Sequence, residues 1–334
     1  MHRIGDRMET AACVLCGDTH RIVVETVGRG PEPLTTVLCE GCGLVSHHPL
    51  PDAAEMAAFY AERYRKDYKG AWTPKRKHSL RALRGAARRA ARLARLIPAG
   101  ARVLDVGASS GEFTCAMARS GFQAEGIEPN RRYAACGAET YGVAVAQGGI
   151  DDAAFEAGRF QLITLNHVFE HLCDPLGALA TLRSWLADDG HLFLEVPDLV
   201  ASRKQRATMF HRAHIWNFGP ETLIALCARA GFAPRPGEDL NQTSLVFVKA
   251  PPAAAQRAPD VAARYLARLR TEQSPLGYLF SGAPFTRRWS RLKRNLEERR
   301  TLRAYACERA MADAVIAAAG ITPRDPGGPV ARTA

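Results

Sequence analysis

Two dithiol turns, Cys13-x-x-Cys16 and Cys39-x-x-Cys42, each lead directly into a glycine, Gly17 and Gly43. Paired knuckles of this kind chelate a metal from tight turns. Four thiolates give a closed tetrahedral site of the structural zinc type, with no position left open for catalysis. A second grouping is Asp105-x-Gly107-x-x-x-Gly111. Its glycines let the backbone come close to a ligand, and a helix start beyond them offers N–H donors. The spacing departs from the dinucleotide fingerprint. A third set is His167, Glu170 and His171, with His214 further on. Imidazoles titrate near neutral pH and suit general base work. The first three residues could alternatively hold a divalent cation if helical spacing put them on one face. His47 and His48 are adjacent, so on a strand they point to opposite faces, and a structural role is expected for both.

The elements that must position these groups alternate. Arg102–Val106 reads as a buried strand, and the glycine turn then opens a helix over 112–120. A second strand over 123–128 ends in Glu128, followed by Pro129 and Asn130. Gly149, Ile150 and Asp151 follow a third strand, and 161–166 reads as a fourth. A helix leads to a fifth strand near Leu192–Pro197, and Ser244–Lys249 is expected at the sheet edge. The order is that of a doubly wound α/β sheet.

This order resembles the class I S-adenosylmethionine methyltransferases. Asp105 to Gly111 is similar to their motif I. His167 to Pro175 and Leu192 to Pro197 are similar to their "EHL.DP" and "G.L.LEVP" stretches. The resemblance covers about Arg102 to Lys249. It implies an α/β fold with a Rossmann-like, seven-stranded class I methyltransferase sheet, an N-terminal zinc ribbon and a C-terminal helical extension. It also implies cofactor contacts. Gly107, Ala108 and Gly111 would wrap the methionine end, and Asp105 would orient that turn or meet the amino group. Glu128 would accept from the ribose hydroxyls. Ile127 or Pro129 would flank the adenine, and Ile150 with Asp151 would pack it and bond its amine. Asn166 and His167 would end the strand where the acceptor meets the methyl group.

His171, His214 and His167 are the candidate catalytic residues. Ubiquinone-pathway O-methyltransferases carry E-x-x-E-H where this chain has H-x-x-E-H. Phe210 to Glu221 resembles the active-site insert of sugar C-methyltransferases, which place a Glu-His pair there. Here Ala213 takes the Glu position and His214 keeps the His. Loss of that acid weighs against C-methylation, and O-methylation is expected. The string "C..CGLV...P.P....M..FY...Y" resembles the N-terminal module of zinc-ribbon methyltransferases of glycan and small-molecule biosynthesis.

The expected divisions are a ribbon over 1–50, a helical linker or lid with a basic helix over 51–98, and a cofactor-binding core over 99–250. A helical extension over 251–321 and a disordered tail over 322–334 complete them. Asp52 with Glu55 has capping-box spacing, and Tyr60, Tyr64 and Tyr68 share a helix face that could form a lid. Lys75 to Ile97 carries an apolar stripe and an arginine face without an acid. Formal net charge is +11. Arg203, Lys204, Arg206 and Arg212 could add to an anion-binding rim. The acceptor is therefore expected to be a small, anionic molecule such as a nucleotide-linked sugar or another glycan-pathway intermediate.

Other classes stay open: an RNA methyltransferase gripping phosphates, or a non-catalytic scaffold that kept the fold. Leu165-Asn166-His167-Val168 stands where base N-methyltransferases carry (N/D)-P-P-(Y/F), which weighs against that chemistry. No apolar run is long enough to span a bilayer, and the first residues lack a signal-peptide core. With nine cysteines, that predicts a reducing cytoplasm. Oligomeric state is not readable.

Overall fold

The structure is a computed structural model, and it describes residues 2–29, 33–52, 56, 75–202, 204–271 and 273–321. Glu55, Tyr60, Tyr64, Tyr68, Arg203 and the expected tail lie outside the described residues.

In chain order the strands are β1 (Arg7–Glu9), β2 (His20–Val27), β3 (Pro33–Cys39), β4 (Val45–His47), β5 (Arg102–Val106), β6 (Gln123–Glu128), β7 (Ala144–Gln147), β8 (Phe160–Asn166), β9 (Leu186–Glu195), β10 (Trp216–Asn217), β11 (Phe232–Pro234) and β12 (Ser244–Lys249). The helices are α1 (Arg76–Leu93), α2 (Glu112–Arg119), α3 (Arg131–Cys136), α4 (Pro175–Trp185), α5 (Arg206–Met209), α6 (Pro220–Arg229), α7 (Pro259–Arg270), α8 (Pro275–Phe280), α9 (Ala283–Arg303) and α10 (Glu308–Ala318). The strands form a five-stranded sheet, ordered β1-β2-β3-β4-β10, and a seven-stranded sheet, ordered β11-β12-β9-β8-β5-β6-β7. The second is the α/β Rossmann-like sheet that the motif order leads one to expect. β12 is not at its edge: β11 pairs outside it, antiparallel.

The chain divides into two compact units. One comprises described residues of 1–56, 167–180 and 194–291, and the other described residues of 57–166, 181–193 and 292–334. In the second unit β8, β5, β6 and β7 run parallel. Val103, Leu104, Leu162, Ile163 and Leu165 are fully buried, the near-continuous apolar run of a strand covered on both faces. Strand order reverses between β5 and β8, and the loops at that reversal are where sheets of this kind hold ligands. In α1, Leu80, Leu83, Ala87, Ala90 and Leu93 form the buried stripe. Part of its arginine face is paired, and Arg88, Arg92 and Arg95 are exposed. Arg81 forms a two-pronged pair with Glu298 (2.5 and 2.7 Å), Arg84 pairs with Glu297, and Arg76 with Glu308.

In the first unit the five-stranded sheet buries Ile22, Val24, Leu38 and Val45 against Val261, Ala262, Tyr265 and Leu269 of α7. The helical spacing of those α7 residues puts them on one stripe. The region after 251 thus begins as a support for the ribbon sheet. Among the described residues four helices follow residue 258, with breaks where Ser274-Pro275 and Ser281-Gly282 interrupt the chain.

Candidate functional site

The four cysteine sulfurs converge. Cys13 Sγ lies 3.7 Å from Cys42 Sγ, and Cys16 Sγ lies 3.5 Å from Cys39 Sγ. Tetrahedral thiolates bonded to zinc at ~2.3 Å stand about 3.8 Å apart, so the donor set fits that ion. A disulfide would need sulfurs at ~2 Å, and the cysteines are free. Gly17 and Gly43 close the two knuckles with left-handed backbone, φ 76° and 81°. Cys39 Sγ also accepts from Arg21 Nη1 at 3.5 Å. His47 is buried and its Nε2 donates to the His211 carbonyl at 3.0 Å, apart from the cysteines.

In the second unit, β5 delivers Asp105 into the interior. Its carboxylate accepts from Thr164 Oγ1 (2.9 Å), Thr114 Oγ1 (3.3 Å) and Asn166 Nδ2 (3.4 Å). Burial pushes its pKa up to about 7, against these hydrogen bonds. Asp105 therefore ties β8 and α2 to the turn. The turn runs through left-handed backbone at Gly107, Ser109 and Gly111, φ 70°, 54° and 86°. The N–H groups of Gly107 and Ala108 donate to the Ile127 carbonyl, and Ser109 N–H to Glu128 Oε2 at 3.0 Å. Glu128 Oε1 accepts from Asn130 N–H at 3.1 Å. A buried carboxylate at the end of β6 thus sits directly against the glycine turn.

Sequence reading misses Gly126 here. A Cβ at that position would stand 2.6 Å from the Ala108 Cβ, so the turn can fold over β6 only if residue 126 has no side chain. Ile150 is buried, while Pro129 and Asp151 are exposed. Asn166 Oδ1 is buried without a hydrogen-bond partner among the described residues.

The histidines gather in the first unit. The segment after β8 is not an α-helix. His167 has φ 56° and its N–H donates to the Glu195 carbonyl at 2.8 Å, and a single tight turn covers Phe169–His171. Glu170 is 1 % exposed, and neither carboxylate oxygen has a hydrogen-bond partner among the described residues. Three imidazoles stand around it: His167 Nδ1 at 3.7 Å, His171 Nε2 at 3.8 Å and His214 Nε2 at 3.7 Å. His171 Nδ1 donates to the Ala213 carbonyl at 2.6 Å, which directs its Nε2 to Glu170. Trp216 Nε1 anchors the turn by donating to the Leu172 carbonyl, and Phe169 stacks on Phe218 at 5.4 Å.

An Nε2 lone pair facing a carboxylate calls for a proton or a cation between them. Glu170, His171 and His214 present ligand atoms all within 4.8 Å of one another, a donor set that could hold a cation. His167 is not in that trio. Burial lowers the His167 proton affinity, but Glu170 and Glu195 outweigh it and lift its pKa to about 9. His214 is pushed far below the ordinary range by burial and by His171, His211 and His167. His211, 3.6 Å from the His214 ring, is pushed down to about 3 by burial first. The sequence gives no sign of Glu195 and offers Glu170 as a possible cation ligand with His167 and His171, not with His214. The signal available was an acid beside two histidines, and the partner that completes it, His214, comes from a separate loop.

Residues 76–235 match the family described as "Methyltransferase domain". The ubiquinone biosynthesis O-methyltransferase of Xanthomonas axonopodis pv. citri is 40 % identical over 107 residues, covering 30 % of this chain and 45 % of that protein. Its counterpart in Ralstonia nicotianae is 35 % identical over 101 residues, 28 % of this chain and 42 % of that protein. The chain thus spans less than half the length of these curated relatives. Among solved structures, the Burkholderia thailandensis 1,6-didemethyltoxoflavin-N1-methyltransferase with bound S-adenosylhomocysteine aligns with a TM-score of 0.46 and 20 % identity, over 62 % of this chain and 96 % of that one. Residues 76–235 thus carry a methyltransferase domain. No helix among the described residues is long and apolar enough to cross a membrane.

Proposed function

We propose that this chain transfers a methyl group from S-adenosylmethionine to a hydroxyl of a small acceptor, with Glu170 and His214 handling the acceptor's proton. The observation that carries this reading is the buried Glu170 carboxylate, without a hydrogen bond of its own and ringed by imidazoles. Likeness to O-methyltransferases supports oxygen as the target.

S-adenosylmethionine supplies an electrophilic methyl on sulfur. In this reading Gly107, Ala108 and Gly111 wrap its methionine end, and Asp105 holds their turn. Glu128 accepts from the ribose hydroxyls, Ile150 packs the adenine beside Pro129 and Asp151, and Asn166 offers its buried oxygen. His214 Nε2 would take the acceptor hydroxyl's proton as that oxygen received the methyl group the bound cofactor would supply. Burial and the neighbouring imidazoles keep His214 neutral and lower its proton affinity, so accepting the proton depends on the Glu170 charge beside it. Glu170 steadies the imidazolium that results, while His171 positions the carboxylate. His167, protonated at neutral pH, acts as a fixed cation beside the acceptor rather than as the base. Cys13, Cys16, Cys39 and Cys42 hold a structural zinc that pins the ribbon.

Carbon is the second reading, and one distance favours it. Ala213 stands where a C-methyltransferase would have its acid, yet Glu170 brings a carboxylate to 3.7 Å from His214 Nε2 by another route. The acceptor is a nucleotide-linked sugar, a glycan-pathway intermediate or another small molecule. Ion pairs on α1 use Arg76, Arg81 and Arg84, so an anionic acceptor would be met by other cations. Incubation with methyl-labelled cofactor and a panel of nucleotide-sugars and phenols, with NMR of any product, tests the proposal. A methyl ether supports O-methylation, a C–CH3 signal moves the assignment to carbon, and label recovered in RNA alone would overturn both.

A further inference from the structure

The long helix α9 is built inside out. Phe285, Trp289, Leu292 and Leu296 recur at i, i+4, i+7 and i+11, which is one stripe of a helix. In a soluble helix such a stripe faces the core. Here Phe285 is 74 % exposed, Trp289 71 %, and Leu292 and Leu296 about half. The opposite side carries Glu298, 3 % exposed and bonded by Arg81. On that side, among the described residues, only Glu298 is buried, with Arg291 and Arg294 exposed beside it, while the apolar side faces outward. The short helix α8, just before it, adds Leu276, Leu279 and Phe280, the last 83 % exposed.

At 100° per residue the apolar stripe is bordered by Arg288 and Arg299 on one flank and by Lys293 and Arg300 on the other, all exposed. An aromatic and aliphatic face between two rows of cations is the pattern of a helix lying in a bilayer interface. The rings and leucines enter the acyl boundary, and the cations meet anionic headgroups. Burying such side chains away from water is favourable, and that gain is forgone while the patch faces solvent. No described helix is fit to cross a bilayer, so the mode is lying on it. We propose that α8 and α9 dock this protein on the surface of an anionic membrane.

A nucleic acid would match the cations but would leave Phe285, Leu292 and Leu296 without a partner. A second copy would match the apolar stripe but would oppose like charges along both flanks. Flotation of the full chain with vesicles decides the matter. Wild type should float with phosphatidylcholine vesicles containing about 30 % phosphatidylglycerol and stay behind with pure phosphatidylcholine. The double variant Phe285→Ser/Trp289→Ser should lower the bound fraction at least about tenfold without changing the melting temperature. Brominated lipid should quench wild-type fluorescence more than that of Trp289→Phe, a variant that keeps the ring. Wild type that ignores anionic vesicles, or binding that survives the double variant with no Trp289 quenching, would overturn the proposal. So would a dimer in lipid-free solution that the double variant abolishes, since the face would then belong to a second copy.

Discussion

Glu170 is the residue on which the chemistry turns. A carboxylate buried this deeply is costly unless its charge is used. Three imidazoles within 3.8 Å provide that use. Glu170→Gln keeps the volume and removes the charge. Turnover should fall by about 10²- to 10⁴-fold, while affinity for S-adenosylhomocysteine stays within about twofold. Equal loss of cofactor binding would instead mark Glu170 as a folding residue. The histidines were legible because residue type and neutral-pH titration pointed to them. What could not be read was that Glu170 and His214, from separate loops, would face each other. The departure from helical geometry at His167, φ 56°, was equally hidden, because the Glu195 carbonyl that holds its N–H comes from β9.

At the scale of elements, the strand-turn-helix units were read well, since a buried parallel strand is a short apolar run between breakers. The second strand falls on Gln123–Glu128 as expected, and the fourth differs by one residue. Pairings that depend on tertiary placement were not readable. β10, two residues long, pairs with β4 of the ribbon sheet, and α7 packs on the same sheet. The glycine turn carries its own test. Gly126→Ala would press a methyl against Ala108, at a cost of about 1–3 kcal/mol, and should weaken S-adenosylhomocysteine at least about tenfold. Unchanged affinity and melting temperature would mean that the turn is not held as described. In the ribbon, Cys39→Ser should release zinc and lower the melting temperature, measured by metal analysis and calorimetry. Full metal retention would remove Cys39 from the site.

For the whole molecule, the formal charge of +11 suggested an anionic partner. Part of that charge is spent internally, on acids far along the chain that no local pattern reveals. Glu298→Gln should cost about 1–2 kcal/mol by urea unfolding, since Arg81 loses a two-pronged partner while still reaching solvent. No change would show the pair to be ornamental.

Acid should also unfold the protein early. His47 is held neutral by burial, its pKa pushed down to about 4, and His211 to about 3. The unfolded chain binds protons at about 6.5 where the folded one does not. The contribution of these two histidines is therefore full above that pH and is lost as pH falls toward about 4. His47 alone contributes on the order of 3 kcal/mol. A urea midpoint that stays level from about pH 8 to about pH 5 would contradict this.

The most direct measurement is a calorimetric titration of the folded, zinc-loaded chain with S-adenosylhomocysteine, repeated on Glu128→Ala. One-to-one binding is expected, weakened at least about tenfold when the carboxylate that sits against the glycine turn is removed. Absence of binding by the wild-type protein would contradict the methyltransferase reading, and would leave the turn and its buried acid without a cofactor to hold.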